Sequence, residues 1–316
     1  MKSFYFTRYR FYKPKQTEHT IFAISDMHFS NLEDHDVFLE KIERIATFAA
    51  EQQPKLITIS GDVVDNLESV DTTADRACLK ASLERLAQIA PVCICLGNHD
   101  FYRKPEGADG YFAEKNQTLI DEINELKNVH LLDNAVYEDD EFYVFGLTLP
   151  PEYYNFSRES NEQGSVGNPA QEKLGVLIDQ LDLIPTEKLP KRKTKILLVH
   201  SPVHLTNEAV QPILANYDFV FAGHMHNGVV PPLINEIWRS HKGFLTPDKH
   251  VFTDQNTRIG LYGDNLIVLG AVTTVQSGIG RVAFIKKLFP LYVATISTSH
   301  NENYARRPDI YKKYLK

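Results

Sequence analysis

The sequence has few of the features that mark a secreted or membrane-spanning protein. It contains three cysteines, Cys78, Cys93 and Cys95, among 316 residues, and two of them are one residue apart, which is not the pattern of a disulfide framework. No apolar run approaches the roughly 18 residues that span a bilayer, and the N-terminus lacks the uninterrupted apolar segment of a signal peptide. These absences predict a cytoplasmic protein in which Cys93 and Cys95 act as small core residues.

The sequence also lacks an excess of positive charge. Its 34 Lys and Arg residues are outnumbered by 41 Asp and Glu residues, which gives a net charge of -7. A nucleic-acid partner normally requires a basic face, so none is expected. Hydrophobic residues make up 43% and charged residues 24% of the chain, the balance of a globular protein, and we expect a single domain over residues 1–316.

Two segments at the chain ends depart from the acidic balance. Residues 1–18 begin with MKSFYFTRYRFYKPK, which mixes five basic and six aromatic residues, and residues 301–316 form a second basic, Tyr-containing tail. One interpretation is weak contact with an anionic membrane, which would place the protein at the inner face of that membrane. The other is an edge strand whose aromatic side chains pack on the core, together with a solvated tail.

Strand-like and helical segments alternate along the chain. Short runs rich in β-branched or aromatic residues predict strands at 20–25, 55–60, 92–97, 195–200 and 218–223. Between the first three runs, apolar residues recur at helical spacing, namely Phe38, Ile42, Ile45 and Ala49, and then Leu79, Leu83, Leu86 and Ala90. This order predicts a layered α/β fold. Runs at 142–149, 265–270 and 291–298 predict further strands, which extend the first sheet or form a second one.

The stretch 150–195 differs from the rest of the chain. It is polar and contains glycines, as in SRESNEQGSVGNPAQ, so it predicts a long loop or lid. A short helix is expected within it, around residues 172–181.

Polar side chains follow each of the five predicted strands at the point where the strand ends. In chain order they are Asp26 and His28; Asp62 and Asp65; Asn98, His99 and Asp100; His200; and His224 and His226. The carboxyl ends of neighbouring strands in an α/β sheet converge on one crevice, so we expect these side chains to meet. Oxygen and imidazole donors without thiolate suit divalent Mn, Fe, Co or Zn. The set predicts a metal site with enough donors for two ions.

Taken together, these clusters resemble the five motifs of the calcineurin-like metallophosphoesterases. The segments DMH, GDVVD, GNHD, VH and GHMH are similar to Asp-x-His, Gly-Asp-x-x-Asp, Gly-Asn-His-Asp/Glu, His and Gly-His-x-His. The resemblance implies a four-layer αββα sandwich of two mixed β-sheets flanked by helices. It also implies two divalent metal ions per chain at the C-terminal edge of the strands. The implied ligands are Asp26, His28, Asp62 and His226 for the first ion, and Asp62, Asn98, His200 and His224 for the second.

Such a centre suits the hydrolysis of phosphomonoesters or phosphodiesters. A bridging carboxylate and a bridging hydroxide reduce the repulsion between two divalent ions, and the hydroxide attacks phosphorus in line. His99 matches the non-ligand histidine of the family and is expected to contact the phosphoryl oxygen or protonate the leaving group. Asp65 and Asp100 are expected to orient imidazoles, and Asp100 to keep His99 protonated. The alternatives are helix capping for Asp65 and a turn role for Asp100.

The residues around the last motif depart from the commonest pattern of the family. Met225 and Asn227 stand where many relatives have Thr and Gly. Further along the chain, Trp238, Arg239 and Arg258 either bind the non-reacting part of a small substrate, such as a nucleotide or lipid headgroup, or pack a surface loop.

Two other functions are compatible with the fold that the motifs imply. A non-catalytic scaffold for protein binding would be expected to lose ligands or the catalytic histidine, and every one of them is present. A nuclease is disfavoured by the acidic balance of the chain.

Overall fold

The computed structural model describes residues 4–14, 16–30, 33–65, 67–100, 117–154, 169–229, 259–272, 291–304 and 309–315. Within these ranges the chain forms two mixed β-sheets with helices packed on their outer faces, which confirms the predicted fold class. The inner faces of the sheets pack on each other through a third apolar cluster that contains strand residues from both.

The sheets contain seven and six strands. In chain order the strands are β1 Phe4–Tyr12, β2 Thr20–Ile24, β3 Leu56–Ser60, β4 Val92–Cys95, β5 Val129–Leu132, β6 Ala135–Glu138, β7 Phe142–Leu147, β8 Thr194–Val199, β9 Phe219–Ala222, β10 Gly260–Tyr262, β11 Leu266–Val268, β12 Leu291–Ser299 and β13 Asp309–Leu315. The first sheet has the order β13-β1-β12-β2-β3-β4-β5, and the second has the order β10-β11-β9-β8-β7-β6. All eight strands predicted from the sequence are present. Of the three further runs, one extends the first sheet and two lie in the second.

Helices cover the outer faces. Their bounds are α1 His35–Gln52, α2 Thr73–Ala87, α3 Gln117–Asn124, α4 Pro169–Gln180 and α5 Gln211–Leu214. The predicted apolar stripes of α1 and α2 are buried against the first sheet, and α2 begins with a capping box between Thr72 and Asp75. The helix expected in the lid is confirmed as α4. Residues 155–168 of the predicted lid lie outside the described residues.

The strands that carry the motifs end at an edge common to both sheets. Strands β2, β3 and β4 are parallel neighbours in the first sheet, and β8 and β9 are parallel neighbours in the second. At the end of β3, the carbonyl of Ser60 accepts a hydrogen bond of 2.7 Å from Nδ1 of His200, which follows β8. The crevice therefore lies where two packed sheets meet, rather than at the edge of one open sheet.

The N-terminal aromatic segment is a strand of the first sheet. Strand β1 pairs in parallel with β12 and antiparallel with β13, so it is an interior strand, and β13 is the edge. The rings of Phe4, Tyr5, Phe6, Tyr9 and Phe11 are buried. Because buried rings cannot insert into a lipid surface, the expected packing of the aromatic side chains on the core is confirmed, but the expected edge position is wrong, since β1 is an interior strand.

Two expectations drawn from the composition can also be compared with the structure. The three cysteines are free and buried, as expected for small core residues. In the part of the chain that the structure describes, no helix is both long and apolar enough to cross a membrane.

Candidate metal centre

The turns that follow the strands place the site residues in an unusual backbone conformation. Asp26, His28, Asp62, His224 and His226 all have positive φ, between 44° and 67°. The left-handed region costs a non-glycine residue about 1–2 kcal/mol. Such conformations persist where the surroundings over-determine them, and they concentrate at functional sites. The backbone thus marks these positions independently of their side-chain chemistry.

One cluster joins Asp26, His28, Asp62 and His226. Each of these residues offers one ligand atom, and the four atoms lie within 4.8 Å of one another. Nε2 of His28 is 3.1 Å from Nε2 of His226 and 3.6 Å from Oδ2 of Asp62. Nε2 of His226 is 3.6 Å from Oδ1 of Asp26. These are the residues that the resemblance assigns to the first ion, and their ligand role stays a prediction.

A second cluster joins Asp62, His200 and His224, again within 4.8 Å. Nε2 of His200 is 3.1 Å from Oδ2 of Asp62 and also 3.1 Å from Oδ1 of Asn98. All four residues that the resemblance assigns to the second ion are therefore close together. Asp62 belongs to both clusters, as expected of a bridging carboxylate.

The surroundings of His200 fit a cation. Because Nδ1 of His200 donates to the carbonyl of Ser60, Nε2 of the neutral imidazole carries a lone pair that faces the oxygens of Asp62 and Asn98. Although burial acts in the opposite direction, the Asp62 carboxylate raises the pKa of His200 to about 9. The same oxygens that favour a proton on Nε2 would favour a divalent ion there, which binds the deprotonated nitrogen. The donor set therefore fits the metal that the motifs imply.

Backbone amides hold the two buried carboxylates in place. The amide of His224 donates to both oxygens of Asp26, at 3.0 and 3.2 Å. The amide of His99 donates to Oδ1 of Asp62 at 2.9 Å, while Oδ2 faces the nitrogens of His28 and His200. Each carboxylate is thus fixed before any ion binds, which lowers the cost of organising the site.

Asp100 organises two turns by accepting hydrogen bonds from backbone amides. Its Oδ2 accepts from the amides of Asp62 and Gly97, at 2.9 and 2.7 Å, and its Oδ1 accepts from the amide of Val63 at 2.8 Å. Burial lowers the pKa of His99, so the expectation that Asp100 keeps His99 protonated finds no support. The alternative interpretation, a turn role for Asp100, describes the structure.

Asp65 and His99 lie beside the first cluster. Oδ1 of Asp65 is 3.5 Å from Nδ1 of His28, the position expected for a carboxylate that orients that imidazole. The backbone carbonyl of Asp65 accepts a hydrogen bond from Nδ1 of His99. Because a carbonyl only accepts, Nδ1 of His99 carries a proton. The ring of His99 packs edge-on against His28, with ring centroids 5.0 Å apart.

Tyr154 lies next to the second cluster, and sequence reasoning missed it. Its ring centroid is 5.4 Å from that of His224 and 6.2 Å from that of His200. The adjacent Tyr153 has a different role, since its hydroxyl donates to the carbonyl of Val203 at 2.8 Å. The segment PPEYY, at the start of the predicted lid, carries no motif that would have singled out the second tyrosine.

The weaker substrate-binding expectations cannot be placed. Trp238, Arg239 and Arg258 lie outside the described residues.

Gly61 provides a test of how tightly the second cluster is built. Gly61 has φ of +79°, and a Cβ added there would lie 2.5 Å from Nδ1 of His200. Gly61→Ala is expected to displace His200 and to lower the metal content of the purified protein. Gly263→Ala is the matched control, because Gly263 has φ of +66° but nothing within 4 Å of an added Cβ. Both substitutions carry the left-handed penalty of about 1–2 kcal/mol. Equal metal content in Gly61→Ala and Gly263→Ala would contradict the assignment of His200 to the metal site.

The fold and the site together define the class of the protein. Two packed mixed sheets with His and Asp clusters at their shared edge are the architecture of a metal-dependent phosphoesterase. The family model described as calcineurin-like phosphoesterase matches residues 19–228, which is more than half of the chain. The chain belongs to this family, and the resemblance read from the motifs is confirmed. No curated protein sequence matches the chain.

Proposed function

We propose that this protein hydrolyses phosphate esters with two divalent ions, held as the motifs imply. The observation that carries the proposal is the position of Asp62. Its carboxylate belongs to both clusters, and its Oδ2 faces His28 on one side and His200 on the other. A carboxylate shared between two sets of donors is the arrangement that two-metal hydrolases use.

The chain positions the reacting groups, and the ions supply the charge. When bound, two divalent ions attract the oxygens of a phosphate ester and lower the pKa of water at the site. Asp26 and Asp62 are fixed by amides, and His200 is fixed by the Ser60 carbonyl, so these donors need little reorganisation. Phosphoryl transfer depends mainly on positioning and electrostatic stabilisation, which a preorganised set of this kind provides.

His99 is the proposed acid at the phosphoryl group. Its Nδ1 proton is committed to the Asp65 carbonyl, so Nε2 is the nitrogen that remains for substrate. Donation from Nε2 requires a second proton, which burial disfavours in the free protein. The negative charge of a bound phosphate ester favours that protonated form. His99 would then contact a phosphoryl oxygen or protonate the leaving group.

The substrate is proposed to be a small phosphomonoester or phosphodiester, such as a nucleotide or a lipid headgroup. Trp238, Arg239 and Arg258 are proposed to bind its non-reacting part.

Weak contact with an anionic membrane is proposed only for the C-terminal segment, because most rings of the N-terminal segment are buried. There Tyr311 is 46% exposed, and Lys312 and Lys313 are also exposed.

Chelation and reconstitution test the proposal. Removal of metal is expected to abolish hydrolysis of bis(p-nitrophenyl) phosphate or p-nitrophenyl phosphate, and Mn, Fe, Co or Zn is expected to restore it. Elemental analysis should give about two ions per chain, as in other two-metal sites. Nucleotides, glycerophosphodiesters, DNA and RNA complete the substrate panel. A protein that binds metal and hydrolyses none of these compounds would support the scaffold alternative, and selective cleavage of DNA or RNA would support a nuclease.

A further inference from the structure

The turn that begins at the last residue of the last motif has an unusual backbone conformation. His226, Asn227 and Gly228 have φ values of 45°, 57° and 59°, so three successive residues lie in the left-handed region. Glycine, and occasionally Asn or Asp, visits this region, and then as single residues and not as runs. A run of three needs contacts that hold it, because each non-glycine residue in such a conformation costs about 1–3 kcal/mol. The metal-site residue His226 begins the run.

The side chain of Asn227 supplies such contacts. Asn227 is fully buried. Its Oδ1 accepts from the amide of Ile259 at 3.0 Å, and its Nδ2 donates to the hydroxyl of Tyr292 at 3.3 Å. Asn tolerates the left-handed region better than most residues, so it suits the backbone conformation at this position. Its side-chain amide also forms the hydrogen bonds with Ile259 and Tyr292. Glycine at this position would satisfy only the backbone.

Ile259 and Tyr292 lie outside the part of the chain that the family model covers. The match ends at residue 228, whereas Ile259 immediately precedes β10 and Tyr292 lies in β12. Tyr292 is itself buried and packs edge-on against Tyr5 of β1, with ring centroids 5.5 Å apart. The Asn227 side chain therefore connects the turn of the last motif to β12 and, through the ring of Tyr292, to β1.

We propose that Asn227 is a positioning residue, which holds His226 in its metal-binding orientation by anchoring the turn to Ile259 and Tyr292. The proposal rests on the metal centre of the proposed function, but it concerns metal affinity and not the reaction. Groups that orient metal ligands typically contribute about 10- to 100-fold in affinity. The contacts with Ile259 and Tyr292 lie outside the five family motifs.

Two substitutions remove the contact with Tyr292 from opposite sides. Asn227→Gly keeps a residue that accepts positive φ and deletes the amide, while Tyr292→Phe keeps the ring and deletes the hydroxyl. The matched control is Tyr9→Phe, since Tyr9 is equally buried, lies in the neighbouring strand β1, and has no hydrogen-bond partner for its hydroxyl among the described residues. Zinc affinity is measured by competition with a chromophoric chelator. The melting temperature of each metal-free protein is measured in parallel.

We expect Asn227→Gly and Tyr292→Phe each to weaken zinc binding by about 10- to 100-fold, and Tyr9→Phe to leave it unchanged. The double variant Asn227→Gly/Tyr292→Phe should be little weaker than Asn227→Gly, because the two residues share one contact. Parent-like zinc affinity in both single variants would overturn the positioning role, even if their metal-free melting temperatures fall, and would leave the proposed hydrolysis intact. A parent protein that binds none of Mn, Fe, Co and Zn would overturn both proposals. The parent protein could bind zinc and yet lack phosphoesterase activity. If Asn227→Gly and Tyr292→Phe then weaken zinc binding, the result would support the positioning role alone.

Discussion

Asp62→Asn is expected to abolish hydrolysis and to remove most of the bound metal. Asparagine keeps the size of the side chain and an oxygen that accepts from the amide of His99, which lies 2.9 Å from Oδ1 of Asp62. The substitution therefore preserves the fold of the turn and deletes the negative charge between the two clusters. Without that charge, two divalent ions repel each other with less compensation, and neither cluster keeps a complete donor set.

Elemental analysis and a chromogenic diester assay measure both effects of Asp62→Asn. The matched control is Asp139→Asn, because Asp139 accepts from the amides of Glu141 and Phe142 in the turn before β7, at 2.8 and 2.7 Å. That variant keeps the oxygen that accepts both amides and is expected to keep its metal. Parent-like activity in Asp62→Asn would rule out a bridging role for this carboxylate.

His99→Ala is expected to lower turnover by about 10²- to 10⁴-fold, the range for a positioned acid or base, while metal content stays near that of the parent. The amide of His99 that holds Asp62 is a backbone group and survives the substitution. The role of the imidazole is thus separated from the assembly of the metal site.

The structure also shows what result would contradict this role. His99, His28 and Asp65 offer ligand atoms within 4.8 Å of one another, so His99 lies close enough to serve as a ligand. A fall in metal content parallel to the fall in activity would assign it that role instead. His130→Ala is a suitable control, since His130 lies on β5 and packs against Tyr137, with ring centroids 4.4 Å apart.

The regular elements could be predicted because their signals are local. Strands such as β3 and β8 are short runs of β-branched and apolar residues, and the stripes on α1 and α2 recur within a few residues. The short edge strands β6 and β10 carry no such signal. Strand β6 is mostly exposed and β10 is half-buried, so neither has the apolar pattern of a core strand.

That the candidate site residues meet could be predicted because they follow strands that end at one edge. The sequence left two alternatives open for Asp100 and gave no role to Asn227, because the contacts of both residues depend on partners that are distant in sequence. Asp100 binds amides about 37 residues away, and Asn227 reaches Tyr292 across 65 positions. Tyr154 was missed for the same reason, since its proximity to His224 arises only when the segment after β7 folds over the second sheet.

The pairing of β1 has a consequence for how the protein is made. Strand β1 lies between β12 and β13, with Phe4 opposite Leu291 on one side and Leu315 on the other. Among the described residues, both strands that pair with β1 therefore lie about 280 positions or more further along the chain and are synthesised much later than β1. Strand pairs so distant in sequence form slowly, because the chain loses the entropy of the long intervening loop before the contacts between the strands compensate for it. We expect the first sheet to be completed only after residues 291–315 have been synthesised, so that the growing chain passes through a stage in which an aromatic strand is exposed.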